Sequence, residues 1–484
     1  MKRRAKIAGT LGPSCEKRQT MERLIEAGMD IARLNFSHGT AAEHEVRVRR
    51  LRRAARAAGR SVALMADLQG PRFRVGEMPG GVMTLEDGQG IDVVAGVKRA
   101  AAGKLPVAYA ALARDVRRGD AIRIDDGKIE LRVERVRGDV IRCVVVRGGA
   151  VTDRKGINLP GVELSVPTIT PKDRRDLRFA VEAGADWLAI SFVRRGEDVK
   201  LARRLLRRAG RDLPVMAKIE RPEAIEALDE ILEQADGVLV ARGDLGVELA
   251  TEDVPILQKQ IIDAANARGK TVMTATQMLE SMRFSSRPTR AEASDVANAV
   301  LDGSSSLLLT AETAAGQYPV ETVRTMASII VRAERAGLTH EIPELGGDIS
   351  IPTATAHAAV RAAIDVGASR LVAFTTSGST ACQVARFRPP MPIIACTPLE
   401  EVARQLNVQW GVDPVKVRQF DTLEEMIRAV DRALIAESLA SRGQVVVVLA
   451  GSPIGVAGTT NVLKVHRVGS TLPPATRRRS GAGR

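Results

Sequence analysis

Apolar residues along this chain follow two spacings. Short blocks of consecutive aliphatic residues give way to polar turns, then to stretches where apolar positions recur every three or four residues. The first spacing predicts buried strands and the second amphipathic helices. Ala5–Thr10, Ile31–Asn35 and Val62–Asp67 read as strands, with helices at Arg18–Ala27 and Glu43–Ala58. The rhythm then stops. From Arg72 to Val166 the chain is Gly-rich and alternates with period two, as at Ile129, Leu131 and Val133, which predicts an inserted all-β module. Strand–helix units resume at Pro171, with strands at Trp187–Phe192, Val215–Ile219, Gly237–Ala241, Thr271–Ala275 and Ser306–Leu309. About eight such units over roughly 250 residues is the size of a (β/α)₈ barrel. Gly346, Gly347 and Pro352, after His340, suggest a linker. A further α/β block runs to about Val468, with strands near Leu371–Phe374, Ile393–Ala395 and Val445–Leu449. The expected class is α/β: a TIM barrel over residues 1–70 and 167–345, an inserted β domain over 71–166, and a C-terminal α/β domain over 346–470. Residues 471–484, rich in Pro, Thr, Arg and Gly, read as a solvated tail.

Composition narrows the class. Of 484 residues 45% are hydrophobic but only 2% aromatic, so the cores must be built from Ala, Val, Leu and Ile. The net charge of +14 suits a nucleic-acid binder, yet the basic clusters (Arg47–Arg53, Arg203–Arg208) fall on expected exposed helix faces. With few aromatics available for base stacking, no nucleic-acid partner is expected. Cys15, Cys143, Cys382 and Cys396 form no CxxC pair, which argues for reduced thiols and a cytoplasmic location. The basic start at Met1–Arg4 is followed by no signal-peptide core, and no apolar run has bilayer length, so no membrane partner is expected.

Asn35, Asp67, Arg194, Lys218, Glu220, Arg242, Asp244, Thr276 and Glu312 all fall at or just beyond the C-terminal ends of expected barrel strands. Those ends converge on the mouth where barrel enzymes build their sites. Glu220 and Asp244, on adjacent strands, suit Mg²⁺, which takes one or two carboxylates plus substrate oxygens and water. The alternative is that they form ion pairs with Arg221 and Arg242. Five His residues without an HExxH pattern speak against a zinc hydrolase. Lys218 precedes Glu220 by two positions, so both side chains face one way along a strand. A cation beside a metal site serves phosphoryl transfer; a Schiff-base lysine is the other option. Arg242–Gly246 reads as a Gly-bearing turn whose N–H groups can hold an anion. Gly269-Lys270-Thr271 imitates a P-loop end, but position 264 is Ala and a strand follows. Thr375-Thr376-Ser377-Gly378-Ser379-Thr380 opens an expected helix, Ala381–Phe387, as either a phosphate cradle or a plain N-cap.

Several long motifs together resemble the pyruvate kinase family. They are Gly28–Gly39, Leu213–Ile225 with Lys218-Ile219-Glu220, Val240–Gly246, Ala275–Ser281 and Arg287–Gly303, and the likeness runs in order over roughly residues 4 to 468. The resemblance implies the last step of glycolysis: Mg²⁺-dependent transfer from phosphoenolpyruvate to ADP, giving pyruvate and ATP, with Mn²⁺ able to replace Mg²⁺. It implies that Glu220 and Asp244 hold the metal, and that Lys218 stabilises the transferring phosphoryl group and the enolate. Arg33 would bind phosphate. Gly243, Asp244 and Thr276 would hold the substrate carboxylate, with Thr276 near the face where the enolate is protonated. Arg74, Asn35 and His38, with Lys155 on a β-barrel lid, would meet the nucleotide. It also implies a homotetramer and a phosphorylated activator held by Thr375–Thr380 and the loop Gly451–Asn461.

Three departures bear on these expectations. Of the family's K⁺ positions Asn35, Ser37 and Asp67 are retained, but Leu68 stands at the Thr position and Arg72 at the Glu position. This matches a branch that pairs Leu with a basic residue, and implies activity without K⁺. Thr310-Ala311-Glu312-Thr313 replaces a common Ser-Gly-Glu-Thr, keeping a hydroxyl for a proton relay, and Gln69 replaces a common Lys. The rival readings are another Mg²⁺-dependent phosphoenolpyruvate enzyme, a lyase or mutase, and a basic RNA-binding scaffold on an inactive barrel.

Overall fold

The computed structural model describes residues 3–336, 345, 349–454, 456 and 458–471. His340, Gly346 and Gly347 of the expected linker, and the expected tail from residue 472 onward, lie outside them. The chain divides into two units, 5–334 and a second formed by 1–4 with 335–484.

In the first unit eight parallel strands close into a barrel. Around the ring they run Lys6–Thr10, Ile31–Asn35, Ala63–Asp67, Trp187–Ile190, Val215–Ile219, Gly237–Ala241, Thr271–Ala275 and Ser306–Leu309, which returns to the first. Helices cover the outside, so nearly every strand position is buried, and this is why the strands read as continuous apolar runs. Gly237 is required by close packing: a Cβ there would lie 2.4 Å from Thr271 Cγ2. Three of the covering helices start with reciprocal caps, Thr40 with Glu43, Thr170 with Asp173 and Thr289 with Glu292. The first cap explains why a helix expected from Glu43 starts at Ala41. The strand expected to reach Phe192 stops at Ile190, because Phe192 turns to φ +56.

Between Asp67 and Pro171 the chain leaves the barrel to form the inserted β domain. Seven strands make one sheet with a further bridge, Val75 to Val107, that nearly closes it, and a two-stranded ribbon pairs Val82–Leu85 with Gly149–Thr152. Alternate residues such as Ile129, Leu131, Val133, Ile141 and Cys143 fill its core. Both stems of the insertion are tied to one buried carboxylate: Gly70 N–H donates to Asp173 Oδ1 (3.1 Å) and Thr170 N–H to Asp173 Oδ2 (2.9 Å). The insertion also meets the short helix Arg242–Glu248, where Asn158 Nδ2 donates to Glu248 Oε1 (3.1 Å) and Arg123 donates to the Val247 carbonyl.

In the second unit a five-stranded sheet runs in the order Val412–Lys416, Ile393–Thr397, Arg370–Phe374, Val445–Gly451, Thr460–Arg467, with only the last strand antiparallel. Leu371 and Ala373 face one apolar cluster and Val372 and Phe374 another, so both faces are covered. The helix expected at Ala381–Phe387 spans Ser379–Ala385, since Gly378 supplies the left-handed cap (φ +89). No helix among the described residues is long and apolar enough to cross a membrane.

Candidate active site

The strand Val215–Ile219 sends Lys218 into the barrel mouth, and Glu220 follows two residues on. The Lys218 ammonium lies 2.8 Å from Glu220 Oε1, 2.7 Å from Ser191 Oγ and 3.5 Å from Asp67 Oδ1. Asp67 turns its other oxygen to Arg33 Nε (2.7 Å), and Arg33 Nη1 also donates to Thr10 Oγ1 (3.1 Å). Five neighbouring strands thus contribute to one buried polar chain. Burial alone would push the Asp67 carboxyl up, but the Lys218 and Arg33 charges hold it below its ordinary value. Burial likewise opposes the Lys218 charge, and the Asp67 and Glu220 carboxylates more than restore it.

Glu220 behaves differently. Burial raises its pKa beyond what Lys218 offsets, and the charge of Asp244 raises it further. Phe192, held at φ +56, donates its N–H to Glu220 Oε2 at 2.6 Å. A buried carboxyl pushed up by a second acidic side chain nearby forms with it a donor set that a divalent cation relieves. Among the described residues no group of three or more His, Cys, Asp or Glu is arranged to hold a metal, so further ligands would be substrate oxygens and water. The alternative ion pairs are absent here. Arg221 pairs with Glu223 (2.9 Å) and Glu248 (3.8 Å), and Arg242 with Asp295 (2.6 Å).

The expected turn at Arg242–Gly246 is instead the start of the helix Arg242–Glu248. Its Gly243 N–H donates to Thr276 Oγ1 (2.8 Å), so in this state that donor faces the hydroxyl. Arg72, Gly243, Asp244, Thr276 and Thr310 line one cleft of about 1810 Å³. His38 stands near a group of guanidiniums: burial lowers its pKa, and the charges of Arg72, Arg74 and Arg33 lower it further. Thr310 donates its N–H and hydroxyl to Glu312 Oε2, and burial pushes that carboxyl up.

Other expected members are engaged with groups of the protein or stand apart from the Lys218 cluster. Lys155 stays within the inserted domain, 2.8 Å from Asp125 Oδ1. Arg74 donates to the Arg154 carbonyl (2.9 Å). Arg194 binds the carbonyls of Leu164 (2.6 Å) and Val166 (3.1 Å), where it braces the returning stem of the insertion. Asn35 Oδ1 accepts the Ser37 N–H (3.1 Å), and the Leu68 side chain is buried. Arg72 makes no ion pair with the described residues. Sequence reasoning missed Ser191, Thr10 and the Phe192 N–H. The first two stand at strand ends like the residues that were singled out, whereas the third depends on a backbone angle.

In the second unit, Thr375, Thr376, Ser377 and Thr380 line a cavity of about 580 Å³ with Arg418, Phe420 and residues of the loop after Gly451. Gly378 N–H donates to Thr375 Oγ1 (2.8 Å), and Thr380 Oγ1 lies 2.7 Å from Thr460 Oγ1.

The molecule is thus a (β/α)₈ barrel with a paired lysine and carboxylate at its mouth, a β insertion and a separate α/β unit, of the class of barrel proteins with a charged site at the strand ends. The family model described as pyruvate kinase, barrel domain, matches residues 2–323, and that for the pyruvate kinase alpha/beta domain matches residues 353–466. A pyruvate kinase of Mycobacterium tuberculosis is 45% identical over 478 residues, covering 97% of this chain and 99% of that protein. One from Corynebacterium glutamicum is 44% identical over 473 residues, covering 97% and 98%. A crystal structure of a pyruvate kinase from Cryptosporidium parvum superposes with a TM-score of 0.90 at 35% identity, covering 96% of each chain. The chain belongs to the pyruvate kinase family.

Proposed function

We propose that the chain moves the phosphoryl group of phosphoenolpyruvate to ADP, giving pyruvate and ATP, as the last step of glycolysis. The observation that carries this reading is the Lys218 ammonium fixed among Glu220, Ser191 and Asp67. A buried cation held by three acceptors from neighbouring strands is preorganised for charge that develops on a transferring phosphoryl group and an enolate. Such a lysine, with its pKa raised, is a poor Schiff-base nucleophile.

Arg33, held by Asp67 and Thr10, would bind the phosphoryl group of phosphoenolpyruvate. Glu220 and Asp244 would hold Mg²⁺, which supplies Lewis-acid neutralisation of phosphoryl and enolate oxygens when bound. Gly243, Asp244 and Thr276 orient the substrate carboxylate, and the Thr276 hydroxyl serves the proton that reaches C3 of the enolate. Arg72, Arg74 and His38 offer the nucleotide a positive cleft. Lys155 joins them once it leaves Asp125. We read residues 71–166 as the lid over this cleft, 1–70 and 167–345 as the catalytic barrel, and 346–470 as the effector domain.

K⁺ is dispensable in this reading. Both Asp67 oxygens already face cations, Leu68 offers no ligand oxygen, and Arg72 brings fixed charge to the cleft. The C-terminal cavity would take a phosphorylated activator on Thr375, Thr376, Ser377, Gly378, Ser379 and Thr380. The test is pyruvate formation from phosphoenolpyruvate, ADP and Mg²⁺ in K⁺-free buffer, repeated after adding K⁺. Full turnover without K⁺ is expected. Turnover only with K⁺ would overturn the cation reading, and none in either buffer, with activators supplied, would overturn the reaction.

A further inference from the structure

Thr276 and Gln277 are consecutive non-glycine residues in the left-handed region, at φ +72 and +53. A β-branched residue there is a steric outlier, and such strain persists only where its surroundings impose it. One side chain dominates those surroundings. Arg242 Nη2 donates to the Thr276 carbonyl (2.6 Å) and contacts Met278 Sδ (2.9 Å), while Nε donates to the Ala275 carbonyl (3.3 Å). Nη1 bonds Asp295 Oδ1 (2.6 Å) and Gln258 Oε1 (3.4 Å). All the donors of the planar guanidinium fork are thereby committed, three to this loop and two to the helices Val254–Ala267 and Arg290–Leu301.

The Ala275 carbonyl held by Arg242 also accepts the Thr276 hydroxyl proton, at 2.6 Å. The direction of that hydroxyl therefore depends on a carbonyl that the arginine fixes. Arg242 also begins the helix that carries Gly243 and Asp244, and Gly243 N–H points at the same hydroxyl. One guanidinium thus couples the strained loop to the adjoining helix, with Asp295 as its counter-charge.

We propose that Arg242, anchored by Asp295, is a positioning residue that imposes the left-handed conformation at 276–277 and so aims the Thr276 hydroxyl for the proton step; the role of that step rests on the function proposed above. A lysine has a point ammonium where this loop uses a planar fork, so it should not substitute.

The test uses the full chain and its variants Arg242→Lys, Arg242→Gln, Asp295→Asn and Arg242→Gln with Gln277→Gly. Turnover is read together with deuterium exchange into the pyruvate methyl group in the presence of Mg²⁺ and ATP. Both Arg242 variants should lose about 100-fold in kcat, the scale of a small misplacement. Exchange should fall in parallel, and KM for phosphoenolpyruvate should stay within roughly threefold. Gln277→Gly should restore part of the loss, because glycine accepts positive φ freely. A loss confined to KM, full activity in Arg242→Lys, or no recovery with Gln277→Gly would overturn the proposal. Crystal structures of the chain and of Arg242→Lys decide the conformational claim independently of turnover: residues 276–277 should leave the left-handed region, and their retention there overturns it. If the unaltered chain neither turns over nor exchanges, the proposed reaction fails and these structures still judge the clamp.

Discussion

Asp67 and Arg33 form a buried ion pair across neighbouring barrel strands, with Nε 2.7 Å from Oδ2. The second carboxylate oxygen remains turned to Lys218. Removing this anion leaves the buried Arg33 without its counter-charge, while Lys218 keeps Glu220, a loss of about 3–5 kcal/mol. Asp67→Asn should therefore unfold at markedly lower urea concentration near neutral pH. The Asp67 pKa is lowered on folding, so its contribution is present above the ordinary value of 3.8 and disappears as pH falls through the folded value. Urea midpoints of the two proteins should converge in that acid range. A constant gap would contradict the assignment.

Glu220→Gln keeps the volume of the side chain and removes its charge. Binding of Mn²⁺, followed by paramagnetic relaxation of water protons, should weaken by more than about 10-fold, a loss that even outer partners of a metal ligand can cause. Asp244→Asn should do the same. Unchanged affinity in both variants would remove the metal from this pair.

The His38 imidazole should titrate below its ordinary 6.5, because burial and three guanidiniums disfavour its charged form. The unfolded chain then binds the proton more readily, so this group makes stability fall as pH drops from 6.5 toward the folded value. An anion in the cleft cancels the guanidinium field, so ADP should raise the folded pKa. Proton NMR of the His38 ring, with and without ADP, checks both statements. A pKa of 6.5 or more in the free protein would count against the charge cluster.

Thr380 and Thr460 share a buried hydroxyl pair, so an activator-site variant should leave them intact. Thr376→Ala, Ser377→Ala and Ser379→Ala together alter more accessible positions of the same loop. Activation by phosphorylated metabolites, titrated by initial rate, should vanish while basal turnover stays. Preserved activation would dismiss the C-terminal cavity as the effector site.

The barrel strand Gly237–Ala241 was legible to the residue, since burial on both faces makes it an uninterrupted apolar run. Val412–Lys416 and Thr460–Arg467 were not legible. Both are edge strands, one carrying Pro414 and Asp413, the other largely polar. In the site, the common direction of Lys218 and Glu220 followed from their spacing of two. The grip of Ser191 on Lys218 and of Thr10 on Arg33 depended on which strands become neighbours. The turn of Phe192 and the loop at Thr276 depended on backbone angles that contradict local propensity, so no pattern of residue types announces them.

Asp173, which holds both Gly70 and Thr170, brings the two crossings between barrel and insertion to one point. The strands on either side, Ala63–Asp67 and Trp187–Ile190, pair directly with each other. Topologically the whole β domain is a side loop, and the barrel's circumference is closed without it. Its length and sequence are therefore free to drift, or to be exchanged by recombination, without disturbing the ring that carries Lys218 and Glu220. Asp173 marks the seam at which such a graft would have to join.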